Sequence, residues 1–240
     1  MAKQSKPKAG RCQCGALIKP TEIAGRWFVH DKCEACAEIH KAQQAKQSLR
    51  QARKTKAARM RRALSDVIPP LFAAAHIRDL SNPFLVKVFE HRDYQGLLLW
   101  GSPGVGKTYA MAALARFYIL RKKKCKRISY ENLCLQIRDT YKPSSKKTEL
   151  DVIKPLVDCD CLFLEDLGTT VSVGQQESDF SLRTFLVLLD SRLEACRPTF
   201  ITTNKSVESL GISFDERVAS RLHYFKVLEV SGSDKRSIDR

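Results

Sequence analysis

The sequence predicts an α/β core built on a parallel sheet, behind a small cysteine-rich segment and one long helix. Three stretches carry that prediction. Leu97-Leu98-Leu99-Trp100 is an apolar run that ends in the glycine-rich turn Gly101-Ser102-Pro103-Gly104-Val105-Gly106, with Lys107, Thr108 and helix-forming residues behind it. Some fifty residues on, Cys161-Leu162-Phe163-Leu164 is a second apolar run, and it delivers Glu165 and Asp166 at its end. Ahead of both, Cys12, Cys14, Cys33 and Cys36 form two close pairs. Apolar runs that do not alternate with polar residues, separated by helical patterns, mark strands buried on both faces of a parallel sheet.

The 240 residues have room for one full domain and a small second one. Residues 1–10 read as a basic leader without an apolar signal region. No stretch is long and apolar enough to span a membrane. The nine cysteines are therefore expected to be reduced thiols of a cytoplasmic protein. Residues 1–66 hold 16 Lys/Arg and 5 Asp/Glu, a net of +11, against +5 for the rest. A basic excess in front of the core suits a polyanion or an acidic partner surface, or simply a solvated arm.

Cys12-Gln13-Cys14-Gly15 and Cys33-Glu34-Ala35-Cys36 flank a short apolar segment with Trp27, Phe28 and Val29. Each pair can present two thiolates from one tight turn, and Zn²⁺ takes four ligands in a tetrahedron, so residues 1–40 read as a structural zinc ribbon. The first pair is C-x-C rather than C-x-x-C, and His30 and His40 are alternative ligands. Four free thiols would leave this segment with almost no core of its own. Residues 37–65 read as one helix without Gly or Pro. From Lys41 to Arg62 it carries nine basic residues and no acidic one. Ile39, Ala42, Leu49, Ala52, Met60 and Leu64 form only a thin apolar stripe. Residues 41–68 are thus a basic helical linker, about 40 Å long, suited to docking or to nucleic acid. The bland alternative is a solvated spacer.

Pro69-Pro70 opens the core, residues 69–240. In the lead-in, Ile77 to Leu80 are candidates for contact with a base. The turn fits G-x-x-x-x-G-K-[ST]. Its glycines let the backbone wrap a phosphate chain, and amides at the start of the next helix point at the anion. Lys107 reaches the β- and γ-phosphates and the Thr108 hydroxyl ligates Mg²⁺; Tyr109 follows at the same helix start. ATP and Mg²⁺ are the implied cofactors. Helical spacing continues over 107–121. Ile128-Ser129-Tyr130 is a short strand, 131–141 a helix, and 142–147 a basic loop. On the strand that follows, Glu165 holds the Mg²⁺ shell and Asp166 polarises the attacking water. The spacing from the turn to this pair, with strand and helix between, favours the additional-strand class of P-loop ATPases over small-molecule kinases. Residues 178–195 are an amphipathic helix. Pro198 to Thr203 is a strand that delivers Asn204, either a γ-phosphate sensor or a turn-former. Phe214 to Leu222 is a helix with Arg217 and Arg221 on one face, either a finger for a neighbour's γ-phosphate or partners of Asp215 and Glu216. Residues 225–230 are the last strand.

This set of motifs, from about Pro69 to Arg236, resembles the DnaC/DnaI/IstB-type AAA+ ATPases, the helicase loaders and their transposition relatives. The resemblance implies a five-stranded parallel sheet, ATP with Mg²⁺, and the replicative hexameric helicase as partner. It makes Asn204 the first sensor, Arg217 the arginine finger with Arg221 next, and Arg236 the second sensor. A zinc-binding N-terminus with a helical linker is also similar to loaders of the DnaI kind, where that end contacts the helicase. Two departures stand out. Glu165 occupies a place where the family usually has Asp, which shifts the Mg²⁺ shell by one methylene. Only ten residues follow the last strand, which leaves no room for a three-helix lid and one side of the nucleotide poorly covered.

The reading is therefore an ATP-binding helicase loader. Its N-terminal region docks the helicase, its core binds ATP and single-stranded DNA, and it self-associates or joins a helicase-bound oligomer. The alternatives are a transposition accessory ATPase of the IstB kind and a zinc-dependent DNA-binding regulator whose nucleotide site is structural.

Overall fold

The computed structural model describes residues 7–80, 96–169 and 178–235. The chain divides into two compact units, residues 1–59 and 60–240. The first unit holds two antiparallel hairpins, β1 (Gly10–Arg11) with β2 (Leu17–Ile18) and β3 (Thr21–Ile23) with β4 (Arg26–Phe28). Helix α1 (Glu34–Ser65) follows, and none of its residues is buried. Its Ala-, Gln-, Lys- and Arg-rich composition favours helix, and only Met60, Ala63 and Leu64 in its last turns pack on a core.

The second unit is a five-stranded parallel sheet in the order β6-β7-β8-β5-β9. The strands are β5 (Gly96–Trp100), β6 (Cys125–Ser129), β7 (Cys161–Leu167), β8 (Thr199–Thr203) and β9 (Lys226–Glu229). The connecting helices are α2 (Lys107–Leu120), α3 (Tyr130–Thr140), α4 (Glu149–Asp158), α5 (Asp179–Glu194), α6 (Val207–Ser213) and α7 (Glu216–Leu222). Strand β8 lies between β5 and β7, which is the additional strand that the spacing of the motifs predicts.

Alternate residues of the strands feed two cores. Leu98, Leu162, Leu164 and Ile201 face one layer with Tyr130, Phe185 and Phe214. Leu97, Leu99, Phe163 and Phe200 face the other with Met111, Leu114 and the lead-in residues Val67, Ile68 and Ala75. Phe163 and Phe200 stack with ring centroids 4.8 Å apart. Both faces of the central strands are covered, so their sequences carry no polar alternation.

Several boundaries differ from expectation, each for a local reason. Tyr130 starts α3 rather than ending a strand, because Ser129 caps the helix and the Tyr130 ring is buried against Phe185 and Phe214. Helix α7 starts two residues late: Phe214 is buried in the core and Asp215 is the cap. Two helices were not expected. Helix α4 is closed by a capping box between Thr148 and Asp151, with Pro155 inside it, and α6 is only seven residues long.

Candidate nucleotide and metal sites

The C-terminal ends of the parallel strands gather the chemistry on one edge of the sheet, as expected where a parallel sheet changes strand order. Strand β5 runs straight into the phosphate loop, Gly101 to Gly106. Three of its glycines have positive φ: Gly101 at 148°, Gly104 at 81° and Gly106 at 101°. Gly106 is the N-cap of α2, so the amides that follow it are the unpaired ones at a helix start. Val105 is buried and Ser102 and Pro103 are exposed. Thr108 and Tyr109 open the first turn of α2, both partly buried. The Tyr109 hydroxyl lies 3.3 Å from Asp79, and its ring meets Phe72 edge-on. The lead-in stretch that was expected beside a base is a 3₁₀ turn, Ile77–Asp79, at this same helix start.

Lys107 is only 7% exposed. Its Nζ donates to Gly101 O at 2.7 Å, to Ser102 O at 2.9 Å and to Asn204 Oδ1 at 2.7 Å. Asn204 reaches it because β8 pairs with β5 so that Thr203 faces Trp100, which puts the next residue of each strand side by side. The structure thus joins two sequence motifs 97 residues apart by one hydrogen bond.

Glu165 and Asp166 divide sharply. Glu165 is 3% exposed. Its Oε2 accepts from Arg127 of β6 in a close ion pair, while its Oε1 is buried without a hydrogen-bond partner. Burial raises the Glu165 carboxyl above the usual carboxylate range, and the Arg127 guanidinium opposes that shift. An orphaned, buried carboxylate oxygen near the same end of the parallel strands as the phosphate loop fits the water shell of a Mg²⁺ ion. Asp166 is exposed, and its φ of 59° is left-handed. It sits in a register shift of β7 against β8, with its amide donating to Thr202 Oγ1 at 3.1 Å.

Arg217 and Arg221 also differ. Arg217 donates to both oxygens of Asp215, at 3.0 and 3.1 Å, and its side chain is 60% exposed. Arg221 makes a two-pronged bond to Asp190 of α5, at 2.7 and 3.1 Å. The first is a surface group and the second a partly exposed brace between α7 and α5. Arg236 lies outside the described residues.

Beyond β9 the chain continues along the loop. Val230 N donates to Trp100 O at 2.7 Å and Lys235 N to Gly104 O at 3.0 Å. The Asp234 carboxylate lies flush on Gly104: a Cβ there would sit 1.9 Å from Asp234 Oδ1. Sequence reasoning missed this strap, as it missed Arg127. The one hint for Arg127 was the unusual length of Glu165.

In the first unit the Sγ atoms of Cys12, Cys14, Cys33 and Cys36 all lie within 4.8 Å of one another. Gly15, at φ 88°, turns the first pair, with its amide on Cys12 O at 2.8 Å. The second pair brackets the start of α1, with Cys33 just ahead of it and Cys36 in its first turn, and Ala37 N bonds Cys33 O at 2.9 Å. His30 and His40 are not in the cluster. The Cys14 and Cys33 backbone amides pull the Cys12 thiol down to about 6, and the Cys14 and Cys33 sulfurs push Cys36 up to about 12. Four convergent thiols fit a structural Zn²⁺ site.

The bacterial DnaA ATPase-domain family matches residues 82–228. The replicative helicase loader DnaC of Escherichia coli K12 is 28% identical over 122 residues, which cover 51% of this chain and 47% of that protein. The chain therefore spans about half the length of the curated relatives it matches. Two solved structures share the fold. DnaI has a TM-score of 0.58 at 22% identity, over 73% of this chain and 100% of that one. The DnaC helicase loader has a TM-score of 0.56 at 20% identity, over 68% and 99%.

Proposed function

Because the chain belongs to the bacterial DnaA ATPase-domain family, as an AAA+ ATPase of the DnaC/DnaI type, we propose that it is a replicative helicase loader whose nucleotide state controls its hold on the helicase. One observation supports the loader over a generic ATPase: a four-cysteine cluster and a helix whose Lys41-to-Arg62 stretch carries only basic charge precede an AAA+ core. In this reading residues 1–40 bind Zn²⁺ and, with the basic linker 41–68, dock the replicative hexameric helicase. The core, residues 69–240, binds ATP and single-stranded DNA. The protein works in the cytoplasm, self-associated or in a helicase-bound oligomer.

The residues take these roles. Gly101 to Gly106 and the amides of Lys107 and Thr108 cradle the phosphates, with Tyr109 beside them. Lys107 leaves its loop carbonyls for phosphate oxygens, which frees Asn204 to sense the γ-phosphate. Thr108 and Glu165 hold Mg²⁺, which supplies charge neutralisation at the phosphates. Asp166, exposed at the strand end, orients the attacking water. Arg217 serves the site of a neighbouring subunit, since exposed surface pairs of this kind are weak and easily exchanged.

Native mass spectrometry of the protein mixed with the host's hexameric helicase, with and without ATP, tests the proposal. A complex whose lifetime depends on ATP is expected. No complex, together with DNA binding indifferent to ATP, would replace the loader with a DNA-binding regulator.

A further inference from the structure

The Arg127–Glu165 pair is incomplete at both ends. Glu165 Oε1 and Arg127 Nε are each buried without a hydrogen-bond partner. A purely structural ion pair is stable only when its remaining donors and acceptors are satisfied, so something further completes this one. The two residues are two positions out of step on neighbouring parallel strands: Ser129, not Arg127, faces Glu165. The pair is therefore made by reach, and a carboxylate one methylene shorter would fall back from the guanidinium.

We propose that Arg127 is a positioning residue for the Mg²⁺ shell, holding one oxygen of Glu165 so that the other stays free for the metal's water. The glutamate and the arginine then account for each other: a longer carboxylate needs a second anchor to present one oxygen in a fixed place. This rests on the reading of the site as one for Mg²⁺ and nucleotide.

The test is binding, not turnover. Affinity for a fluorescent ATP analogue is measured by anisotropy across a MgCl₂ titration, and again in EDTA. Arg127→Met is expected to raise the Mg²⁺ midpoint by about tenfold or more, the range seen when partners of metal ligands are removed, with affinity in EDTA unchanged. Arg127→Lys keeps the charge but is one atom shorter than the guanidinium that makes the observed contact, so it should raise the midpoint by less than Arg127→Met does. Glu165→Asp should raise the midpoint, and adding Arg127→Met to it should raise it no further. If Arg127→Met does not fold, the lysine and aspartate variants carry the test. An unchanged or lower midpoint in Arg127→Met, or additive effects in the double variant, overturns the proposal. A wild-type protein with no Mg²⁺-dependent nucleotide binding overturns the reading of the site instead.

Discussion

Replacing Lys107 with alanine perturbs two states in ways the structure separates. Without nucleotide, the ammonium ties the loop to β8 through Gly101 O, Ser102 O and Asn204 Oδ1. With ATP it moves to phosphate oxygens. A hydrogen bond to a charged group contributes about 1.5–3 kcal/mol, so two phosphate contacts amount to about 3–6 kcal/mol. Moving away strands the buried Gly101 O, which offsets about 1–2 kcal/mol of that, while the more open Ser102 O and Asn204 Oδ1 regain partners from water or nucleotide. The net is about 2–4 kcal/mol, or roughly a 30- to 700-fold loss of ATP affinity. The nucleotide-free protein should also weaken. Gly101 O is buried, and stranding it costs about 1–2 kcal/mol, which in a chain of this size is about 2–8 °C in melting temperature. Titration with a fluorescent ATP analogue and a nucleotide-free thermal melt read the two effects separately. Affinity within threefold of wild type would refute the assignment of the loop. A melt that does not shift would refute the bridging role of the lysine.

Other outcomes follow from single contacts. Arg192 is fully buried and donates to Leu156 O, Val157 O, Cys159 O, Pro198 O and Thr199 Oγ1; Arg192→Met should cost about 3–5 kcal/mol and lower the melting temperature by roughly 6–20 °C, measured by circular dichroism. Metal analysis should find one zinc per chain, and stripping it with a chelator should disorder the segment around Trp27 as seen by tryptophan fluorescence, since apparent zinc binding of about 10–16 kcal/mol is folding energy in such sites. A chelated protein with native fluorescence would refute the site. Arg217→Ala should leave the melt unchanged while lowering ATP turnover at least about tenfold in the helicase complex. Arg221→Ala should instead lower the melt by a few degrees, because it braces α7 to α5.

How much was legible depended on whether a feature is carried by neighbours in sequence. The phosphate loop, the acidic pair and the cysteine pairs are local patterns, and each falls in the place expected of it. The order of the strands was legible only through spacing: the residues between the loop and the acidic pair are enough for β6 and its helices, and the added strand β8 follows the pair in sequence yet lies between β5 and β7 in the sheet. What escaped was set by register. Nothing in Cys125–Ser129 says that its arginine lies within reach of Glu165; that follows from the offset of two parallel strands. Arg192 sits on a helix whose pattern reads as amphipathic, and a fully buried arginine is readable only once the carbonyls at the ends of α4 and β8 converge on it. Likewise the first turn of α7 was lost because Phe214 continues a helical pattern in sequence while its ring is claimed by the core.

The two backbone bonds that lay residues 230–235 along the phosphate loop couple two equilibria. Nucleotide binding and the seating of the C-terminal segment share one piece of backbone, so each must alter the other by the same factor. A partner that grasps this segment therefore has a lever on nucleotide affinity without touching nucleotide.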